Sequence, residues 1–188
     1  MPPKYIDLNG ATTDAQTRQI EQIPLSNMMI EKYDLKNIVS LKDVSKMTNL
    51  NQLFGQYNYV ILFLQLEDAN CGHWICFFIN SDDELHYFDS YGYSPLKIIA
   101  TLKNKWGQNL NLLNLIKKSR FRNKFFYNSF DYQSDTSSVC GRYCCVIVIL
   151  NMMRKSFNCV SFNQYMKRMK KLTNKSFDFI VCEFCSQV

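Results

Sequence analysis

The sequence predicts an α+β domain in which a β-sheet packs on one buried helix, and three observations support this fold class. Tyr57–Leu66 and Gly72–Asn80 are rich in β-branched and aromatic residues, as buried strands are. Leu85–Ser90 alternates in polarity after a short polar turn, which predicts an antiparallel hairpin with the second run. Val139–Arg154 is apolar nearly all round, which predicts a helix buried on every side.

The elements before these strands are predicted from weaker signals. Met1–Gln22 is polar and irregular, so we expect a loosely held arm. Apolar residues at helical spacing predict a short helix over Leu25–Tyr33. Ser40–Phe54 is interpreted as a second short helical piece with a loop.

Helices predominate after the hairpin. Ser94–Trp106 has a serine that can cap its N-terminus and Pro95 at its first helical position, so it is predicted to be a helix. Asn109–Ser119 is ambiguous. The alternating Phe and Tyr residues of Phe125–Gln133 predict a further strand.

The C-terminal third contains the central buried helix. Thr136, Ser137 and Ser138 are all capable N-caps for this helix. Ser161–Leu172 predicts an amphipathic basic helix, and Phe177–Cys185 predicts a short terminal helix or strand.

The composition is that of a globular protein. Hydrophobic residues make up 47% of the 188 residues, and neither a repeat nor a linker divides the chain, so residues 1–188 are expected to form a single domain. The most apolar runs fall short of the roughly 20 residues that a membrane span needs. Met1–Asn9 has no apolar signal core, so neither secretion nor membrane association is expected. We also expect the protein to be a monomer.

The charge is mildly basic, with a formal net value of +6. The basic residues cluster in Lys97–Lys105, Lys117–Lys124 and Lys167–Lys175. Such clusters can attract nucleic acid or an acidic partner, and they can equally be solvated helix faces.

The chain has eight cysteines, most of which are expected to be reduced thiols in the absence of a signal peptide. Cys182–Cys185 is an isolated CxxC pair. Because a structural zinc site needs a second pair of ligands nearby, no metal is expected.

The chain has two histidines, so a histidine-based mechanism must use His73 or His86. His73 begins a predicted strand, where a loop meets the sheet. His86 points away from Leu85 and Tyr87, because side chains alternate along a strand, and it is expected to be exposed or at an edge. His73 is therefore the candidate base.

Asp89 ends the third predicted strand, just before a turn that contains Gly92. If the hairpin forms, His73 and Asp89 lie at the same end of it, where the carboxylate can orient the imidazole and support its cation. Taken alone, Asp89 also fits a strand-end aspartate that simply makes a turn.

Cys140 is the candidate nucleophile. It lies in the first turn of the central helix, where unpaired N–H groups and the helix dipole stabilise a thiolate. Gly141 beside it lets a substrate approach the backbone closely. Cys144 and Cys145 are expected to be inert packing residues, and a cysteine at position 140 could be the same.

Together, these stretches resemble the adenovirus-type maturation peptidases. The resemblance rests on His73-Trp74, on Asp89 in Phe-Asp-Ser-Tyr-Gly, on Gln133 seven residues before Cys140, and on Cys-Gly-x-Tyr-Cys-Cys. It covers roughly residues 57–150. The wider group includes proteases of SUMO-like modifiers and the peptidases of virophages and Polinton-type elements, which this chain resembles most in its size and AT-rich composition bias.

The resemblance implies a papain-like cysteine peptidase core, with a mixed sheet of about five strands packed on the helix that starts at the nucleophile. It implies that Cys140 attacks the scissile carbonyl and that His73 is its base. It also implies that Asp89 orients His73, and that Gln133 and the backbone N–H of Cys140 hold the oxyanion. Adenovirus enzymes tend to have glutamate in place of this aspartate.

The resemblance further implies a narrow substrate cleft. Gly72, Trp74 and Gly141 would line it, with the tryptophan as its roof, so that cleavage occurs next to small residues such as glycine. The expected function is a cysteine endopeptidase that cleaves viral capsid or other structural precursors, in the virion and the host-cell interior. No cofactor is expected to be required, and a peptide activator or DNA is implied by the resemblance alone.

Two other functions remain open. One is a protease of SUMO- or ubiquitin-like modifiers, which would use the same chemistry on another substrate. The other is a non-enzymatic DNA-binding virion protein, which would account for the basic clusters and would leave the spacing of His73, Asp89, Gln133 and Cys140 unexplained.

Overall fold

A computed structural model describes residues 31–65, 72–106 and 111–186 of the chain. The predicted arm, Met1–Gln22, lies outside the described residues. So does most of the predicted helix over Leu25–Tyr33, of which residues 31–33 are described and helical.

The strands form one mixed sheet of five strands in the order in which they occur in the chain. The outer pairs, β1 with β2 and β4 with β5, are parallel, whereas β2, β3 and β4 run antiparallel to one another. The predicted hairpin is thus confirmed. Their bounds are β1 Ile38–Ser40, β2 Tyr59–Gln65, β3 Gly72–Ile79, β4 Leu85–Phe88 and β5 Phe125–Tyr127.

The helices lie on both faces of this sheet, since apolar side chains point both ways from β2 and β3. Among the described residues, one face packs on the helices of the C-terminal third and the other packs on four earlier helices, where the sequence predicted a sheet packed on one helix. The helices are α1 Leu41–Val44, α2 Leu50–Phe54, α3 Pro95–Trp106, α4 Asn111–Lys117, α5 Cys140–Met153, α6 Cys159–Thr173 and α7 Phe177–Ser186.

Strand β5 is shorter than the predicted strand over Phe125–Gln133, because Asn128 leaves the sheet. Its side-chain amide donates to the backbone oxygen of Asp89 at 2.7 Å and accepts from the backbone nitrogen of Asp89 at 2.8 Å. The chain after Asn128 therefore follows the turn that begins at Asp89 and leads to Gln133.

Helix α5 begins without the predicted side-chain cap. Its N-cap is Val139, so the prediction of Thr136, Ser137 or Ser138 is wrong. The first two hydroxyls contact Ser134 instead, at 2.9 Å to its Oγ and 3.2 Å to its backbone oxygen. The first N–H groups of α5 consequently have no side-chain cap, and they have no partner within the helix.

None of the helices within the described residues is long and apolar enough to cross a membrane.

Candidate active site

Strands β3 and β4 bring His73 and Asp89 together at one end of the sheet. His73 is the second residue of β3, and Asp89 directly follows the last residue of β4. The Nε2 atom of His73 lies 3.1 Å from Oδ1 of Asp89, and both side chains are fully buried. The contact is a close electrostatic one and not a well-directed hydrogen bond. Its orientation leaves Nδ1 as the ring nitrogen that is available to another group.

Backbone and side-chain donors fix the Asp89 carboxylate. Its Oδ1 accepts a hydrogen bond from the backbone nitrogen of Tyr91 at 2.8 Å, and its Oδ2 accepts one from the hydroxyl of Tyr87 at 3.3 Å. Asn128 holds the backbone of Asp89 on both sides. The carboxylate therefore has one orientation, which faces His73.

The electrostatics of His73 favour its cation. Burial alone would lower the pKa of His73, but the charge of Asp89 and the contacts of the ring with Asp89 and Cys140 raise that pKa well above its usual value. A buried imidazole close to both a buried carboxylate and a thiol is the combination that a proton transfer between sulfur and nitrogen requires.

Cys140 is the first residue of α5 and is 1% exposed. It contacts the His73 ring, at the end of the helix where N–H groups are uncapped. Every described cysteine is a free thiol. Burial raises the pKa of five of the others, so these hold their protons at neutral pH and are poor nucleophiles: Cys76, Cys144, Cys145, Cys185 and Cys159, the last to about 12.

Gln133 lies close to the same site but has no spare donor. Its Oε1 accepts from the hydroxyl of Ser90 at 2.7 Å. Its Nε2 donates to the hydroxyl of Tyr91 at 3.1 Å and to the backbone oxygen of Ser137 at 2.9 Å. Because a side-chain amide has two N–H hydrogens, both are engaged within the protein.

A buried carboxylate from the last helix supports the loop that carries Gln133. Asp178 of α7 accepts from the backbone nitrogen of Ser134 at 3.1 Å and from the hydroxyl of Tyr143 at 2.8 Å. The same hydroxyl lies 3.1 Å from the backbone oxygen of Tyr132. The tyrosine of the Cys-Gly-x-Tyr-Cys stretch therefore joins helix α5 to this loop.

His86 is buried, so the expectation that it is exposed or at an edge is wrong. It is 3% exposed, and its ring stacks between those of Phe78 and Phe126 at 5.1 and 5.4 Å. The reason is that β5 pairs beside β4 and covers it, which the sequence pattern does not reveal. His86 lies near the opposite end of the hairpin from Asp89.

The three residues predicted to line a cleft are all buried. A Cβ atom at Gly72 would overlap the Phe63 ring and the backbone oxygen of Leu64, so its small size allows β2 and β3 to approach. Trp74 packs on Phe63, with ring centroids 4.7 Å apart, in the core cluster that includes Cys140. Gly141 is the second residue of α5. Packing thus accounts for Gly72, while the cleft remains a prediction.

Sequence reasoning missed four residues that hold the site in place. Ser90 and Tyr91 lie inside the Phe-Asp-Ser-Tyr-Gly stretch that carried the resemblance, so their position signalled them. Nothing in the local pattern identifies Asn128 or Asp178, because their partners are 39 and 44 residues away in the sequence.

The described residues contain no group of three or more His, Cys, Asp or Glu side chains that could hold a metal ion. The isolated pair Cys182–Cys185 lies in α7, and both cysteines are buried.

Comparison with known proteins finds a similarity to a virophage protein. It is 28% identical over 165 residues to "Uncharacterized protein V9" of Sputnik virophage, and the alignment covers 82% of this chain and 89% of that protein. No protein-family profile matches the chain. The similarity thus extends over most of both proteins.

Proposed function

We propose that this chain is a cysteine endopeptidase with a papain-like core, of the adenovirus maturation type. The observation that carries the proposal is the position of the buried His73 ring, whose Nε2 lies 3.1 Å from the Asp89 carboxylate and whose pKa is raised by both Asp89 and the nearby Cys140. Cys140 also begins a buried helix whose N-terminus has no side-chain cap. A base, its orienting acid and a nucleophile at an anion-stabilising helix end are the components that acyl transfer needs.

The proposed reaction proceeds through an acyl-enzyme. His73 accepts the proton of Cys140, and the sulfur attacks the carbonyl carbon of the substrate. The carbonyl oxygen of the tetrahedral intermediate becomes negative, next to the backbone N–H of Cys140. His73 then protonates the leaving amine as the carbon–nitrogen bond breaks, and water, deprotonated by the same imidazole, hydrolyses the thioester. Asp89 stabilises the imidazolium in both halves of the cycle.

The proposed substrates are viral capsid or other structural precursors, cut next to a small residue such as glycine during virion maturation. The similarity to a virophage protein supports a viral setting. The low exposure of Cys140, Trp74 and Gln133 supports a narrow approach to the sulfur, which small residues beside the scissile bond would pass most easily. A protease of SUMO-like modifiers would share the chemistry, and folded modifier fusions would then be cut faster than precursor peptides.

The experiment combines labelling with cleavage. The purified chain is treated with iodoacetamide, the labelled cysteine is identified by mass spectrometry, and a peptide library is digested in parallel. We expect labelling chiefly at Cys140 and cleavage beside small residues. Cys140→Ala should abolish cleavage and retain the fold by circular dichroism, whereas the control Cys145→Ala should cleave at the normal rate. Equal labelling of Cys144 and Cys145 would contradict the proposal.

DNA is proposed as a partner on a separate observation. The lysines and arginine of α6 and its C-terminal end, Lys167, Arg168, Lys170, Lys171 and Lys175, are all exposed. If DNA binds through phosphates, the logarithm of the binding constant should fall linearly with the logarithm of the salt concentration, by about 0.9 per contact. A titration at several salt concentrations, beside cleavage with and without DNA, tests this. Absence of binding and of any rate change would remove DNA and leave the peptidase proposal intact.

A further inference from the structure

A side-chain donor to the oxyanion is the remaining component of the proposed site. The resemblance implies that Gln133 donates directly. Its two amide hydrogens, however, are already bound to the Ser137 backbone oxygen and the Tyr91 hydroxyl. Rotating the amide to free one of them would break the contact of Oε1 with Ser90, which is short at 2.7 Å. The amide is therefore fixed with its donors turned inward.

The Tyr91 hydroxyl, unlike the Gln133 amide, has a hydrogen that is not used in a hydrogen bond within the described residues. It accepts the hydrogen bond from Gln133 and, among the described residues, finds no acceptor for its own hydrogen. An O–H group that accepts from an amide becomes a better donor, because hydrogen bonds in a chain polarise one another. The free hydrogen of Tyr91 is thus the one that this network offers to a ligand.

Tyr91 is held beside the reacting groups. Its ring centroid lies 5.4 Å from that of His73, and its backbone nitrogen donates to Oδ1 of Asp89 at 2.8 Å. Its side chain is 7% exposed and stacks on Tyr93 with centroids 5.9 Å apart. Burial, and next the nearby Cys140 sulfur, raise the pKa of its phenol well above the usual value, so the group keeps its proton.

The turn that carries Tyr91 is rigid. The backbone oxygen of Ser90 accepts from the backbone nitrogens of Tyr132 and Gln133, at 2.8 and 3.1 Å. Gly92 follows with a φ of 68°, and a Cβ there would lie 2.9 Å from backbone atoms of Phe130. Because these contacts fix the backbone of the turn, the Tyr91 side chain is suited to act as a preorganised hydrogen-bond donor.

We propose that the hydroxyl of Tyr91 is the side-chain hydrogen-bond donor to the oxyanion, and that Gln133 is a positioning residue that orients and polarises it. The inference rests on the proposed peptidase function and deepens it. It also distinguishes this chain from the pattern it resembles, in which the glutamine itself donates. The backbone N–H of Cys140 would supply the second donor.

The test uses a peptide aldehyde, whose carbonyl carbon bonds to the Cys140 sulfur while the carbonyl double bond opens. The thiol proton passes to His73 or to the new oxygen, which then occupies the oxyanion position. Iodoacetamide alkylates the same sulfur with loss of iodide and forms no oxyanion. The two reagents therefore separate the donor from the nucleophile, and both are applied to Tyr91→Phe, Gln133→Ala and the double variant. Tyr93→Phe serves as the matched control.

We expect Tyr91→Phe to weaken aldehyde binding by about 10- to 100-fold and to lower kcat by about 10²-fold, with KM and the iodoacetamide rate unchanged. Gln133→Ala should have a similar effect, and the double variant should be little worse than either single one, because the two residues act as one unit. Tyr93→Phe should match the wild-type protein. Retained melting temperature of Tyr91→Phe, whose ring still packs, shows that the fold is intact.

Two results would overturn the inference. Unchanged aldehyde affinity in Tyr91→Phe would show that the phenol gives nothing to the oxyanion. A faster reaction in Tyr91→Phe would show that the hydroxyl blocks the amide of Gln133, which then donates directly. Failure of the wild-type protein to react with iodoacetamide at Cys140 is a different outcome, because it would overturn the peptidase proposal itself and this inference with it.

Discussion

The two ends of the hairpin formed by β3 and β4 each hold a buried histidine next to a carboxylate, yet the two pairs behave in opposite ways. Nε2 of His73 lies 3.1 Å from Asp89, and Nε2 of His86 lies 3.3 Å from Glu84. The environment raises the pKa of His73 well above its usual value, whereas burial lowers that of His86 despite the contact with Glu84. A carboxylate at contact distance is therefore not enough to favour the imidazolium.

The burial of the partner explains the difference. Asp89 is fully buried, so its charge acts on His73 through a medium of low polarity. The Glu84 side chain is 30% exposed, and water screens its charge. His86 also lies between two phenyl rings, which hold it in an apolar place. One pair is built to carry charge, and the other is built to pack.

Replacing each histidine should give the largest contrast. His73→Ala is expected to lower kcat for peptide cleavage by about 10⁴-fold or more, since it removes both the base and the acid of the reaction. His86→Phe should leave kcat unchanged, because we expect a third phenyl ring to keep the stacking with Phe78 and Phe126. Steady-state kinetics on both variants measures this. Loss of activity in His86→Phe with an intact fold would mean that the roles have been assigned to the wrong histidine.

Replacing the two carboxylates should give a smaller difference in kcat than replacing the two histidines. Asp89→Asn keeps the shape but removes the charge, and should lower kcat by up to about 10⁴-fold, which is less than the loss in His73→Ala. Glu84→Gln should have no effect on kcat. The same assay serves, and the comparison breaks down if Asp89→Asn proves as active as Glu84→Gln.

An asparagine side chain holds the backbone at each end of the hairpin, so the same replacement can be compared at both ends. Asn128 holds the backbone of Asp89, while Asn80 donates to Glu84 at 2.9 Å and accepts from two backbone nitrogens of its own turn. Replacement of either by alanine should cost about 1–3 kcal/mol of stability. Only Asn128→Ala should also lower kcat. Urea unfolding and kinetics of both variants provide the measurements, and equal kinetic losses would argue against a special role for the Asp89 end.

The contributions of His73 and His86 to stability should depend on pH with opposite signs, and this is the smallest of the expected effects. The raised pKa of His73 gives stability that is complete below about pH 6.5 and is lost as the pH rises through the higher pKa of the folded protein. The lowered pKa of His86 gives stability that is present above about pH 6.5 and is lost as the pH falls through its lower pKa in the folded protein.

Proton NMR of the two imidazoles, with urea unfolding of His73→Ala and His86→Phe at several pH values, checks these directions. The stability lost in His73→Ala should shrink toward alkaline pH, and that lost in His86→Phe should shrink toward acid. The same direction for both would remove the distinction between the pairs.

The sequence predicted what depends on local pattern. The apolar runs of β2 and β3, the polar turn before β4 and the all-round apolar helix α5 were each readable from nearby residues, and the hairpin then placed His73 beside Asp89. The burial of His86 was missed because β5, which covers it, lies about 40 residues further on. The predicted strand over Phe125–Gln133 is too long because Asn128 bonds to the backbone of Asp89 and so ends the sheet pairing. A hydrogen bond between residues so far apart in the sequence produces no periodic pattern that could reveal it.

The link between Tyr143 and Asp178 has a consequence for the order of events during synthesis. The described strands, the proposed nucleophile and its proposed base all precede residue 150, but the carboxylate that holds the loop carrying Gln133 belongs to α7. A nascent chain that has not yet released this last helix from the ribosome lacks that fastening, whatever else has folded. The proposed activity is therefore expected only after α7 has been synthesised and Asp178 has reached Ser134 and Tyr143. A ribosome-stalled chain ending before Phe177 should fail to cleave a peptide that the released protein cleaves.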